Sequence, residues 1–285
     1  PKTQVNWWES SIGDTMAELY KKFTSLYPYP HLRIAPGAPS SYIHHLYLNR
    51  LADGRSYGFT PVLVVLDDLL LSTIQNNISA RTKNPPADIS AEYVTSYAQD
   101  ILAEHQKRLD KDSLEILVRK ILARADSTLF ENYYEGFLTS QVTVPRGIAP
   151  ALRAPAHLTF VSSLMNEDET LDNSAEIILL EIPTAYPSDI FAYLPFGGWE
   201  DVPSAEDMLA LAQYWYERDS AIPAVIAATY LEFYTAEPIT TLRDAEVLAL
   251  EQGIISRALK PTSYEDLSCV VKGLYNKPSW FVWWE

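Results

Sequence analysis

Two hydrophobic rhythms run along the chain. Short continuous apolar runs mark buried strands, and repeats at i, i+3, i+4, i+7 mark one-sided helices. Thr60 to Leu66 (TPVLVVL) is the clearest run, β-branched and of strand length. Ala175 to Ile182 and the terminal Ser279 to Glu285 (SWFVWWE) read the same way, and shorter strands are predicted near Ala224 to Ala228 and Leu231 to Tyr234. Leu158 to Ser163 is a further strand candidate. The helical rhythm appears in Val94, Tyr97, Ala98 and Ile101, and again in Leu114, Leu117, Val118 and Ile121 of a helix starting at Asp112. It returns in Met208, Leu211, Ala212 and Trp215, and in Leu267, Val270, Val271 and Leu274.

Capping residues set the helix starts. Ser204 with Asp207, Thr241 with Asp244 and Ser263 with Asp266 have capping-box spacing. Asp67 is placed to cap a helix running to Asn76, and a short helix should follow Pro187. A helix is predicted from Ile12 to Ser25. Pro28 to Ser41, Arg81 to Asp88 and residues 141–156 read as loops because proline restricts both itself and the residue before it. Met165 to Ser174 (MNEDETLDNS) is the most linker-like stretch. The fold class is therefore α/β in the mixed α+β sense. A C-terminal domain over 175–285, a sheet flanked by helices, follows a helix-rich N-terminal α/β region over 1–164.

Charge divides the chain unevenly. Residues 1–150 carry 16 acids and 15 bases, whereas 151–285 carry 21 acids and 7 bases, a net of −14. Such a field repels nucleic acid and anionic lipid and attracts basic proteins. No run approaches the roughly 20 apolar residues that span a bilayer. The lone Cys269 excludes an intrachain disulfide and a cysteine metal cage. With no secretory pattern in the residues given, it points to a reducing, cytoplasmic setting. Cys269 reads as a small buried hydrophobe on the inner face of the last helix.

Few residues suggest chemistry. The chain lacks the nucleophile elbow, the phosphate loop, the dinucleotide fingerprint and the zinc-protease motif. His44 and His45 are adjacent, which makes them a poor chelate because neighbouring side chains diverge. No histidine follows position 157. No catalytic set, metal site or cofactor is therefore assigned. The unusual local feature is Phe196-Gly197-Gly198-Trp199, where Gly197 and Gly198 imply a turn with positive φ or very close packing. Such a turn can present Trp199, Glu200 and Asp201 to a partner.

From this turn onward the C-terminal half resembles the bacterial family known as domain of unknown function 4253. The resemblance rests on Ala192 to Trp199, Pro203, Tyr214-Trp215, Pro223-Ala224, Ile226 and Leu231-Glu232-Phe233. It continues through Ala245, Leu248-Ala249, Glu251-Gln252, Trp280 and Trp283-Trp284-Glu285. It covers roughly Ile178 to Glu285 and implies a fold and a bacterial cytoplasmic setting, without a reaction. Polar positions depart from the family pattern: Glu200 and Val202 after the turn, Ala228-Thr229 before Leu231, and Gly253 and Ser256 after Glu251-Gln252. The expected function is a non-catalytic binding protein, most concretely an immunity-type protein that neutralises a toxin with a basic surface. The alternatives are an enzyme using carboxylates near Glu200, Asp201 and Glu232, or a scaffold.

Overall fold

The fold was analysed in a computed structural model that describes residues 7–82, 89–139 and 160–285. The chain opens with α1 (Trp7–Leu26), β1 (His31–Ile34), α2 (Ser40–Tyr57) and β2 (Thr60–Val65). Next come α3 (Asp68–Arg81), α4 (Ala91–Leu109), α5 (Leu114–Ala125) and α6 (Ser127–Leu129). A π turn over Phe130–Tyr134 then leads into α7 (Glu135–Thr139). The remainder contains β3 (Ile177–Ile182), α8 (Ile190–Tyr193), α9 (Ala205–Asp219), β4 (Ala221–Ile226) and β5 (Tyr230–Thr235). It closes with α10 (Leu242–Ile255), α11 (Tyr264–Leu274) and β6 (Ser279–Trp283).

The strands form one mixed sheet in the order β1-β3-β2-β4-β5-β6. β2 is antiparallel to β3 and parallel to β4, and it lies between them. The sheet thus draws strands from both sides of the boundary expected between 164 and 175. β3 and β6 do share it, as the apolar character of both segments requires. Every residue of β2 is buried, which explains its continuous hydrophobic run: alternate side chains enter different cores. Val62 and Val64 join Ile178, Leu180, Leu231, Phe233, Trp280 and Val282 in the first core, which also takes residues from α3, α4, α5, α9 and α10. Leu63 and Val65 join Ile177, Leu179, Ala224 and Val225 in the second core, covered by α2 and the segment from Phe160 to Leu171. A register shift between Pro223 and Val225 lets consecutive Ala224 and Val225 both serve the second core.

The predicted caps hold. Asp67, Ser204, Thr241 and Ser263 accept from the amides of Leu70, Asp207, Asp244 and Asp266. Other expectations need correction. The stretch Pro28 to Ser41 contains the short strand β1, which pairs with β3 at the sheet edge. Residues 162–164 form a 3-10 turn, where a strand was expected. The predicted connector 141–156 and the start of that strand lie outside the described residues. Cys269 is exposed. The inner face of α11 runs through Ser268, Val271 and Leu274, and Cys269 sits about 100° round the helix from Ser268. The two terminal tryptophans divide as adjacent strand-end residues should. Trp284 is buried and donates its indole N–H to the Ile255 carbonyl at 2.7 Å, while Trp283 is half-buried.

Candidate functional site

The Gly-Gly turn owes its shape to close packing. Gly197 and Gly198 have φ of 88° and 83°. A Cβ on Gly197 would stand 2.0 Å from the Pro203 carbonyl oxygen, so this position admits glycine alone without backbone movement. Asn77 of α3 fixes the turn from outside, donating to the carbonyls of Pro195 at 2.9 Å and Gly197 at 3.0 Å. The Gly198 amide closes the loop on the Pro203 carbonyl at 3.0 Å. Trp199 packs edge-on against Phe196, with ring centroids 5.0 Å apart, and Phe196 in turn meets Trp284. Trp199 is therefore half-buried, an anchored side chain with one wet edge. Glu200 follows in the left-handed region at φ 45° and is exposed, as is Asp201.

A cleft of about 710 Å³ opens beside this turn, lined by Gly198, Glu200, Asp201 and Ser204 and by three arginines from three helices. The arginines converge on adjacent acids at the start of α9. Arg108 of α4 donates to Asp207 Oδ1 at 2.8 Å and to the Glu206 carbonyl at 3.2 Å. Arg124 of α5 pairs with Asp207 Oδ2, and Arg81 of α3 pairs with Glu206 and, at 3.2 Å, with Glu104. Two guanidiniums thus share one buried carboxylate and tie the N-terminal helices to α9. The cleft wall carries three arginines against the five acids Glu104, Glu200, Asp201, Glu206 and Asp207, a formal −2. A second cleft, about 170 Å³, shares Glu200, Asp201 and Val202 and is completed by Arg257, Trp284 and Glu285. There Arg257 pairs with Asp201 at 2.8 Å.

The carboxylates of the enzymatic alternative are not assembled. Glu200 and Asp201 lie on the turn, whereas Glu232 is buried on the other face of the sheet and accepts from the Val161 amide at 2.9 Å. Burial raises its pKa to about 8, against a smaller lowering by that hydrogen bond. His44 and His45 lie on α2 with tilted rings, centroids 5.2 Å apart, and burial lowers the pKa of His44.

A polar network that sequence reading did not find lies within the first core. Glu251 of α10 is completely buried and accepts a two-pronged Arg218 contact at 2.6 and 2.9 Å. Its oxygens also accept from the Trp215 indole and the Tyr134 hydroxyl, both at 2.9 Å. Burial alone would lower the Arg218 pKa, but Glu251 and Asp219 beside it raise it well above its ordinary value. Every strong acceptor and donor is matched, so the network is a structural rivet. The π turn contributes Tyr134, its extra residue setting where that ring points. Arg81, Arg108 and Arg124 were likewise invisible in the sequence, because three helices must fold before they meet. Asp207 gave a signal, but only as a capping residue.

Fold and cleft together define a mixed α/β protein with an arginine–carboxylate cleft beside a tight Gly-Gly turn. Residues 178–285 match the family model described as Domain of unknown function (DUF4253). That match begins inside β3 and ends with the segment after β6. No curated protein and no solved structure matches the chain.

Proposed function

We propose that this chain is a non-catalytic protein-binding protein of the immunity type, which neutralises a toxin by docking its basic surface on the turn Trp199-Glu200-Asp201. One observation carries the reading. Glu200 is exposed on a rigid turn and forms no ion pair with any described residue, while the arginines of the adjoining clefts are paired with other acids, Arg257 with Asp201 among them. The surface left for a partner is therefore acidic, and it stands in the part of the chain that carries nearly all the excess charge. Trp199 supplies an aromatic anchor next to that charge, as binding hot spots do. Neutralisation needs only a rigid surface of the right charge, and the locked turn supports the reading through its rigidity and its exposed Glu200.

The enzymatic alternative draws on Glu232, whose pKa near 8 lies in the range of a general acid. Main chain at Val161 covers that carboxyl, and it does not line the cleft beside the turn. The docking reading is tested by capturing the partner on immobilised protein and measuring its association rate against ionic strength. The wild-type rate should fall steeply as salt screens charges beyond a Debye length of about 8 Å. The double variant Glu200→Lys, Asp201→Lys should associate about tenfold more slowly at low salt. A rate independent of salt, or a captured partner that is itself acidic, overturns the proposal.

A further inference from the structure

Glu232 has a place in the fold that neither docking nor core packing explains. It sits mid-strand in β5 and is 3% exposed. Strand alternation turns it toward the second core together with Tyr230 and Tyr234. The neighbouring strands bring only Val225 of β4 and Phe281 of β6 opposite it. From α2 come Tyr47, whose buried hydroxyl has no hydrogen-bond partner among the described residues, and His44, whose pKa burial lowers. Asp67, at the end of β2, adds negative charge near Tyr230, and burial pushes the Tyr230 hydroxyl up to about 12. No positive charge faces the carboxyl from any of these elements. An ionised carboxylate there has lost its water and gained, among the described residues, one amide donor in exchange.

The amide belongs to a strained segment. Val161 has φ 50° and ψ 37°, a left-handed conformation that a β-branched residue rarely adopts. It is completely buried. Phe160 beside it wedges against Tyr47, with centroids 4.9 Å apart, and against His44 at 6.4 Å. The Phe160 ring, the Val161 side chain in the second core, the hydrogen bond to Glu232 and the Asp172 amide on the Leu164 carbonyl at 2.9 Å hold residues 160–164 over the second core.

We propose that Glu232 is a protonation-dependent clasp on Phe160–Leu164: the neutral carboxyl holds Val161 in place, and loss of its proton is coupled to release of the segment, opening the second face of the sheet around Tyr47. The coupling follows from solvation. In the released state water reaches the carboxyl and it ionises at an ordinary value; in the closed state it keeps its proton to a much higher pH. Rising pH therefore favours release progressively between those two values and no further. This inference is independent of the docking proposal, which concerns the opposite face.

Hydrogen exchange of the full chain tests it, with rates corrected for the intrinsic acceleration by hydroxide. Protection of the 160–165 amides should fall by about tenfold per pH unit from roughly pH 5 to 7.5 and level off above about 8. In Glu232→Gln, which keeps the acceptor and removes the titration, protection should be flat. Flat protection in the wild type, or a parallel fall in the variant, overturns the clasp. If Glu232→Gln does not fold, the wild type alone decides. Openings of residues 160–165 that are more frequent than those of β2 across that pH range support the clasp, whereas equal protection of the two segments, the mark of global unfolding alone, overturns it.

Discussion

At the scale of single residues, Gly197 shows how one missing Cβ shapes a site. Gly197→Ala must move the Pro203 carbonyl and hold alanine at positive φ, and should destabilise by roughly 2–3 kcal/mol in urea unfolding. At Gly198 the nearest atom is the Asn77 side-chain oxygen at 3.1 Å, which can yield. Gly198→Ala should therefore cost nearer 1 kcal/mol, the left-handed penalty alone. Glu251 is a harsher case. Glu251→Gln leaves Arg218 buried with an incomplete partner, and a loss of about 3–5 kcal/mol is expected from thermal and urea unfolding. Glu232 makes stability depend on pH in the sense opposite to a salt-bridged acid. Its folded pKa lies above the unfolded one, so its contribution is whole below about pH 4.5 and is lost as pH rises toward about 8. Relative to the wild type, Glu232→Gln should gain on the order of 3 kcal/mol between pH 4.5 and 8.5, read from urea midpoints at each pH.

Among elements, the junction of α4 and α5 with α9 depends on Asp207. Asp207→Asn keeps the helix start but weakens both arginine contacts. A loss of roughly 1–3 kcal/mol is expected, at the low end because Arg124 is largely exposed. Trp284→Ala should cost about 3–5 kcal/mol by removing a buried ring and its bond to Ile255, and Trp283→Ala distinctly less. The elements that could be read in advance share a cause: their information is local. β2, β3 and β6 announce themselves because burial on two faces demands unbroken apolar runs. α9 and α11 do so because capping residues and the one-sided repeat lie within a few positions of each other, and α10 through its Thr241 cap alone, since it is buried on every side. β1 was missed because four residues with only Ile34 buried leave no pattern among the surrounding prolines. α2 was missed because aromatic and polar residues alternate along it without a clean apolar stripe. The turn residues Gly197 to Asp201 were legible as a group, since two glycines between aromatics are locally odd. The three arginines of the cleft were not, because their meeting point is set by the packing of α3, α4 and α5 on α9.

On the scale of the whole molecule, the central position of β2 makes the sheet a shared structure. Residues 178–285 supply most of β3 and all of β4, β5 and β6, yet β3 and β4 are not neighbours. Expressed alone, that segment should lack cooperative unfolding and expose sheet edges to aggregation, whereas the full chain should unfold in a sharp transition. Circular dichroism melts of the two proteins check this directly. The same feature has a consequence in time. β2 ends at residue 65 and its antiparallel partner β3 begins at 177, so 177 − 65 = 112 residues separate the two. At about 5–20 residues per second a ribosome takes roughly 6–22 s to make that span. Through that interval the nascent chain carries Thr60–Val65, an apolar strand without either neighbour, and β4 arrives later still. The strand at the heart of the finished sheet is thus, during synthesis, the segment most in need of a chaperone's cover.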